Sequence, residues 1–145
     1  MPAVLRVPFP GASDVDHPTI LYVEDEALIA TAIVEFLEGA GFAVTHVFDG
    51  AQATAMLSAA EPAPVALVTD VRLPGGTDGW EIAREARERF PEIVVVYASG
   101  DSAIEWSAKG VPDSIMLQKP FAEAQLITAV TTLLNQHQPS ADANS

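Results

Sequence analysis

Short apolar runs alternate with amphipathic stretches five times along this chain, and that alternation limits the folds open to it. The runs are rich in β-branched residues and have the length of buried strands, whereas the stretches between them repeat their apolar residues at helical spacing. Strands that alternate with helices in this way form a parallel sheet with helices on both faces. The sequence therefore predicts a doubly wound α/β domain with five strands and five helices.

Glycine and proline punctuate the sequence and set the predicted bounds of these elements. The predicted strands cover Thr19–Val23, Ala43–Val47, Val65–Asp70, Ile93–Ser99 and Ser114–Gln118. The predicted helices cover Ala27 up to the glycines at 39 and 41, Ala51–Ala60, Trp80–Phe90, Ser102–Lys109 and Ala122–His137. In the first helix, the apolar period predicts a buried face made of Leu28, Ile29, Ala32, Ile33, Phe36 and Leu37.

The two ends of the chain lack this alternation. Residues 1–18 contain several prolines and Gly11 without an apolar period, so we predict a flexible leader there. Residues 139–145 are small and polar, which predicts a disordered tail. One domain over residues 19–138 remains, and a chain of 145 residues is long enough to bury a single hydrophobic core.

Composition argues against several classes of function. Hydrophobic residues make up 49% of the chain and charged residues 19%, which is typical of a globular domain. The absence of cysteine excludes disulfides, thiolate metal sites and cysteine nucleophiles. The net charge of −13 argues against nucleic acid or an anionic membrane as a direct partner. No apolar run approaches the roughly 20 residues that span a bilayer, and no signal peptide is evident, so a cytoplasmic location is expected.

Chemically useful side chains stand where the predicted strands end. The first strand is followed by Glu24 and Asp25, the third ends at Asp70, the fourth ends at Ser99, and the fifth is followed by Lys119. The carboxyl ends of parallel strands meet at one edge of the sheet, where such folds bind their ligands. We therefore expect these five side chains to converge on one site.

The residue types at this edge indicate phosphoryl chemistry. Crowded carboxylates repel one another unless a cation joins them, and a ligand set made only of oxygen atoms favours Mg²⁺. An aspartate beside a metal ion and a lysine can accept a phosphoryl group as a nucleophile. Lys119 would then hold one phosphoryl oxygen, and Ser99 would donate a hydrogen bond to another.

This set of residues, each at the end of its own strand and in this order, resembles the receiver domain of bacterial two-component response regulators. The resemblance implies a flavodoxin-like sheet of order 2-1-3-4-5. It also implies that a histidine kinase or a histidine phosphotransfer protein donates a phosphoryl group to Asp70. The Mg²⁺ ligands that it implies are Asp25, Asp70 and the backbone carbonyl of Arg72, with Glu24 acting through water.

Some features depart from the common form of that family. The loop after Asp70 is one residue longer, the acidic pair begins with glutamate, and Met116 stands where many receivers carry an aromatic switch residue. We therefore expect a switch that does not depend on the rotation of a ring. Arg72 and Asp101 flank the path of an attacking water by the same resemblance. If their side chains meet, the ion pair is a partial gate for that water; if both point into solvent, neither has a role.

The resulting hypothesis is a stand-alone phosphorylation switch that acts by binding a downstream protein, either as a monomer or as a phosphorylation-dependent dimer. It would catalyse only its own phosphorylation and dephosphorylation. One alternative is an α/β phosphohydrolase with an aspartyl nucleophile, but such an enzyme usually needs a second acid at position 72 and a substrate-covering cap. Another alternative is a docking module that takes no phosphate, against which the complete acceptor set argues. The histidines at positions 17, 46 and 137 are assigned no role.

Overall fold

A five-stranded parallel sheet forms the centre of the structure, a computed structural model that describes residues 17–59, 63–101 and 103–137. The strands are β1 (Thr19–Val23), β2 (Ala43–Val47), β3 (Ala66–Asp70), β4 (Val94–Ser99) and β5 (Ser114–Gln118). Their order in the sheet is β2-β1-β3-β4-β5, and every neighbouring pair is parallel. The predicted doubly wound fold with strand order 2-1-3-4-5 is confirmed, and each strand lies within one residue of its predicted bounds.

Helices cover both faces of this sheet. They are α1 (Ala27–Gly39), α2 (Gly50–Ala59), α3 (Gly79–Arg89), α4 (Trp106–Lys109, preceded by a 3-10 turn at Ala103–Glu105) and α5 (Glu123–His137). Helices α1 and α5 pack on one face of the sheet, where Ile33 and Leu126 are buried. Helices α2 and α3 pack on the other face, where Leu57 and Ile82 are buried.

The predicted leader and tail lie at the limits of what the structure describes. Residues 1–16 of the leader and residues 139–145 of the tail are outside the described residues. Within the three described ranges, no helix is both long enough and apolar enough to cross a lipid bilayer.

Strand β3 lies in the middle of the sheet, and all five of its residues are buried. Ala66 and Val68 face the layer of α1 and α5, whereas Leu67 faces the layer of α2 and α3. A strand buried on both faces has an unbroken apolar sequence, which is why the sequence predicted it. Its last residue, Asp70, is therefore placed at the C-terminal edge of the sheet between β1 and β4.

The predicted buried face of α1 is partly wrong. Leu28 is 88% exposed and Ile29 is 41% exposed, whereas Ala30, Ile33 and Leu37 form the stripe that packs on the sheet. Apolar residues surround more than one side of this helix, so their period alone did not decide which stripe the sheet covers. The first turn of α1 lies beside the C-terminal edge of the sheet, where Ile29 lines a cavity next to Asp70.

A chain of hydrogen bonds connects the short helix α4 to the sheet. Trp106 Nε1 donates to Ser114 Oγ at 2.9 Å, and Ser114 Oγ donates to the Val111 carbonyl at 2.6 Å. The Val111 amide donates to the hydroxyl of Tyr97 at 3.0 Å. Tyr97 is fully buried, and its ring centroid lies 4.7 Å from that of Trp80. Helix α4 is thus attached to β5 through the side chain of its first residue.

Candidate functional site

Three carboxylates meet at the C-terminal edge of the sheet. Glu24 and Asp25 follow β1, Asp70 ends β3, and each offers an oxygen atom within 4.8 Å of the other two. Glu24 is 1% exposed and Asp70 is 6% exposed, whereas Asp25 is exposed to solvent. The fold therefore brings together the three acidic residues predicted from the strand ends, two of them buried and one at the surface.

Glu24 is held through both its backbone and its side chain. Its amide donates to the Val47 carbonyl at 3.0 Å, which extends the hydrogen-bond ladder between β1 and β2. Its carboxylate accepts from the Glu26 amide at 3.1 Å and from Lys119 Nζ at 3.4 Å. A buried carboxylate requires such partners because an unpaired charge in the interior is strongly destabilising.

Lys119 follows the edge strand β5, and its side chain extends past the end of β4 to the acidic group. Its Nζ lies 2.9 Å from Asp70 Oδ1 and 3.4 Å from Glu24 Oε1. The Lys119 amide donates to the Ser99 carbonyl at 2.8 Å, and the Lys119–Pro120 bond is cis. Burial lowers the pKa of Lys119, but the carboxylates of Asp70 and Glu24 outweigh that effect and raise it above its ordinary value. The lysine is therefore a fixed positive charge beside Asp70.

The electrostatics of this acidic group favour a bound cation. Burial raises the pKa of Asp70 to about 7; the Lys119 ammonium opposes the rise, and the Glu24 carboxylate adds to it. One lysine does not balance three carboxylates. The donors are oxygen atoms only, which is the ligand set of hard divalent ions. The residues present therefore fit the Mg²⁺ ion that the resemblance implies.

Ser99 ends β4 and is linked to Asp101. The Asp101 amide donates to Ser99 Oγ at 3.2 Å, and Ser99 Oγ donates to Asp101 Oδ1 at 3.3 Å. Arg72 Nε approaches the same carboxylate, at 2.9 Å from Oδ1 and 3.2 Å from Oδ2. Of the two arrangements left open by the sequence for Arg72 and Asp101, the ion pair is the one that forms.

All of the predicted site residues line one open cleft of about 240 Å³. They are Glu24, Asp25, Asp70, Arg72, Ser99 and Lys119, and their neighbours in the cleft are Glu26, Ala98, Gly100 and Asp101. A second, more apolar cavity of about 370 Å³ lies beside the same aspartate, with Tyr22, Ile29 and Phe121 among its walls. The Asp70 carboxylate thus stands between a polar cleft and an apolar cavity.

Glycines shape the loop that follows Asp70. Gly75 and Gly76 have φ angles of +92° and +96°, in the region that favours glycine. Gly79 begins α3 directly against the Asp70 backbone, so a Cβ at this position would clash with the Asp70 carbonyl oxygen. The Gly79 amide also donates to the Val71 carbonyl at 2.8 Å. The loop therefore ends in a helix start that packs against the end of β3.

Two residues beside the site were not predicted. Tyr22 lines the apolar cavity together with Glu24 and Asp70, and burial and these two carboxylates raise the pKa of its phenol. His46 Nε2 lies 2.9 Å from the Glu24 backbone carbonyl oxygen. The alternation of side chains along a strand indicates the position of both residues. Tyr22 lies on the same face as Glu24 because the two are two residues apart, and His46 is the register partner of Tyr22 on β2.

The fold and the site together define a class of protein, a doubly wound α/β domain with an acidic group and a lysine at its strand ends. Within this class, residues 20–131 match the family described as the response regulator receiver domain. The chain belongs to that family. Its predicted resemblance to receiver domains is confirmed.

Two curated relatives show how the chain compares in length. It is 34% identical over 111 residues to a response regulator receiver protein of Anaeromyxobacter sp. (strain Fw109-5), covering 77% of this chain and 43% of that protein. It is 33% identical over 117 residues to the response regulator receiver protein CpdR of Brucella abortus (strain 2308), covering 79% of this chain and 95% of that protein. The chain thus spans less than half of the first relative and nearly all of the second.

Two solved structures are similar over most of the chain. A response regulator receiver protein from Sinorhizobium medicae WSM419 is 48% identical, with a TM-score of 0.82 over 86% of this chain and 99% of that chain. The receiver domain of the sensor histidine kinase PA1611 from Pseudomonas aeruginosa PAO1 is 28% identical, with a TM-score of 0.68 over 82% of this chain and 98% of that chain. That second structure has a magnesium ion coordinated in its active site cleft.

Proposed function

We propose that this chain is a signalling switch in which Asp70 accepts a phosphoryl group from a histidine kinase or a histidine phosphotransfer protein. The observation that carries the proposal is the position of Lys119 Nζ, 2.9 Å from Asp70 Oδ1, in a cleft that also contains Glu24 and Asp25. Membership of the receiver family supports a role in two-component signalling.

The proposed transfer uses one Asp70 oxygen as the nucleophile. That oxygen attacks phosphorus, the P–N bond to the donor histidine breaks, and the donor ring, protonated at its other nitrogen, leaves as neutral imidazole. Lys119 pairs with one oxygen of the phosphoryl group, and Ser99 donates a hydrogen bond to another. The chain turns over its own phosphoryl group and no separate substrate, and we expect this exchange to take place in the cytoplasm.

We infer that Asp25, Asp70 and the Arg72 backbone carbonyl hold a Mg²⁺ ion, with Glu24 acting through water. When bound, such an ion neutralises negative charge on a transferring phosphoryl group. The close approach of three carboxylates within 4.8 Å of one another supports this inference. The magnesium ion in the cleft of the 28% identical PA1611 receiver domain supports it as well.

Phosphorylation would change the protein through electrostatics. It adds a charge of about −1.5 to −2 at Asp70, and we expect Ser99 and Lys119 to be drawn toward it. Helix α4 should rearrange most readily because it has only four residues. Among the described residues, the side-chain hydrogen bond that connects it to β5 is the one from Trp106 to Ser114. The altered surface of α4, β5 and α5 would then bind a downstream protein or a second copy of the chain.

The test is covalent labelling with acetyl phosphate in MgCl₂, followed by intact mass measurement. We expect the wild type to gain one phosphoryl group, and we expect no gain in Asp70→Asn or when EDTA removes the metal. Asp113→Asn is a matched control, because Asp113 is exposed, has a φ of +59° that asparagine tolerates, and lies outside the cleft. Equal labelling of Asp70→Asn and wild type would refute the acceptor assignment.

A further inference from the structure

A histidine on the edge strand contacts the backbone of the acidic pair. His46 Nε2 lies 2.9 Å from the carbonyl oxygen of Glu24. A carbonyl oxygen can only accept, so Nε2 carries the proton in this hydrogen bond. The two residues are 22 positions apart in sequence, and the contact joins β2 to the loop that follows β1.

This hydrogen bond lies where the regular ladder between β1 and β2 ends. The last paired residues are Val23 and Val47, and the Glu24 amide adds one more bond to the Val47 carbonyl at 3.0 Å. In a continuing parallel ladder, the Glu24 carbonyl would accept from a backbone amide of β2. Here the side chain of His46 supplies a donor for that carbonyl, one residue beyond the paired strand.

Aromatic neighbours hold the imidazole ring in position. The His46 ring centroid lies 5.5 Å from that of Tyr22 and 4.4 Å from that of Phe48, with interplanar angles of 35° and 59°. Contacts on two sides restrict the rotamers of a half-buried side chain, so less conformational entropy is lost when its hydrogen bond forms.

The Glu24 carbonyl belongs to the peptide unit that leads into Asp25. Because a peptide unit is planar, a hydrogen bond that fixes its oxygen also fixes the direction in which the Asp25 Cα leaves the strand. Asp25 is the exposed member of the acidic group, and it lies two residues beyond Val23, the last paired residue of β1. Its carboxylate therefore depends on the preceding peptide for its orientation.

We propose that His46 is a positioning residue for the divalent-cation site, which it organises by holding the Glu24–Asp25 peptide. The proposal rests on the proposed function, since it concerns the same Mg²⁺ ligands. Groups that orient metal ligands without touching the metal have large effects on affinity in other proteins. His46 would act in this way through a backbone carbonyl and not through a ligand side chain.

The experiment measures Mg²⁺ affinity by calorimetric titration of the full chain with MgCl₂, at one pH and ionic strength. His46→Phe keeps a ring between Tyr22 and Phe48 but removes the donor, and we expect it to bind Mg²⁺ about three- to tenfold more weakly than wild type. His46→Gln keeps an N–H donor at similar reach, and we expect its dissociation constant to lie within about twofold of the wild-type value.

A second variant separates positioning from general strand stability. Val44 lies two residues before His46 on β2, on the same face of the sheet and against the core of α1 and α5. Val44→Ala should lower the urea midpoint measured in EDTA without changing the Mg²⁺ dissociation constant of the folded protein. His46→Phe should show the reverse pattern, with weakened metal binding at a nearly unchanged midpoint.

The outcomes distinguish this inference from the proposed function. If wild type and His46→Phe bind Mg²⁺ equally, the positioning role is refuted, and the Mg²⁺ site of the proposed function stands. If Val44→Ala weakens Mg²⁺ binding as much as His46→Phe does, the weaker binding results from a general loss of packing of β2, and the inference is refuted. If wild type binds no Mg²⁺, both the metal site and the positioning role are refuted.

Discussion

Arg72 and Asp101 form an ion pair at the mouth of the acidic cleft, with Arg72 Nε 2.9 Å from Asp101 Oδ1. Their side chains are 68% and 65% exposed, so the pair contributes little to stability and is weakened by salt. Asp101 also shares hydrogen bonds with Ser99 at the end of β4. The pair therefore links the loop after β3 to the loop after β4, in the cleft that Asp70 also lines.

We predict that this ion pair slows hydrolysis of the phosphorylated protein by crowding the path of the attacking water. Arg72→Ala and Asp101→Ala should each lose the phosphoryl group faster than the wild type. The double variant should be no faster than the faster single variant, because the two side chains act as one unit. The measurement is the decay of phosphorylated protein after donor removal, at low and high salt, where high salt should shrink the differences.

Additive effects of the two substitutions would contradict a gate formed by the pair. Equal decay rates in the wild type, the two single variants and the double variant would show that the ion pair has no role in the lifetime of the phosphoryl group.

We predict that Asp70→Asn stabilises the metal-free protein at pH 8. The pKa of Asp70 is raised from its ordinary value of 3.8 to about 7 in the folded state, so the folded protein binds this proton more tightly than the unfolded chain does. That contribution to stability is present below the ordinary value and is lost as the pH rises through about 7. Asparagine removes the charge, and the free energy of unfolding at pH 8 in EDTA should rise by about 2–4 kcal/mol.

Urea unfolding at several pH values checks this expectation. The difference between Asp70→Asn and wild type should shrink as the pH falls toward 4, where both side chains are neutral. With saturating MgCl₂, the wild type should recover stability through binding, whereas the variant should not. A constant difference between pH 4 and pH 8 would contradict the electrostatic explanation.

We predict that Gly79→Ala is destabilising because of a steric clash with the backbone at the end of β3. A Cβ at Gly79 would clash with the Asp70 carbonyl oxygen and lie 2.9 Å from the Val71 Cα, and both of these are backbone atoms that cannot move aside as a side chain would. The free energy of unfolding should fall by about 1–3 kcal/mol, as for overpacked positions. Gly39→Ala is the control, since a Cβ there meets nothing within 4 Å, and it should leave stability unchanged or slightly higher.

We predict that the response to phosphorylation does not require the side chain at position 116. Met116 is half-buried and pairs in register with Tyr97, and methionine has no ring to rotate. In Met116→Ala, the affinity for a phosphorylation-dependent partner should stay within about a factor of ten of wild type. Trp106 fluorescence in a Trp80→Phe background gives a second reading, because phosphorylation should alter the environment of α4. Loss of that fluorescence change in a variant that is still phosphorylated would contradict this prediction.

The converging site residues could be predicted because each sits at the end of a strand. A parallel sheet brings its strand ends to one edge whatever the loops do, so Glu24, Asp70 and Lys119 had to approach one another once the order of strands was known. Their roles in the chemistry stay predictions. The placement of Leu28 was not predictable in the same way, because a helical period fixes the spacing of a stripe and not which side of the helix the sheet covers.

His46 shows a different limit of sequence reasoning. Strand alternation placed its ring on one face of β2, but a hydrogen bond to the Glu24 carbonyl depends on where the ladder between β1 and β2 stops. That end point follows from three-dimensional twist and loop geometry. No spacing between residues 22 positions apart could have indicated it.

The tethered ring of Tyr97 has a consequence for the timing of any response in this protein. The hydroxyl accepts a hydrogen bond from the Val111 amide at 3.0 Å, and the ring packs on Trp80 in the core. A ring that is hydrogen-bonded at its hydroxyl and packed in the core can rotate only when the surrounding packing opens. Such opening is slow compared with the motion of an exposed loop. The rate of any conformational change would then be set by the short segment between β4 and β5, while Tyr97 and Trp80 keep their positions in the core.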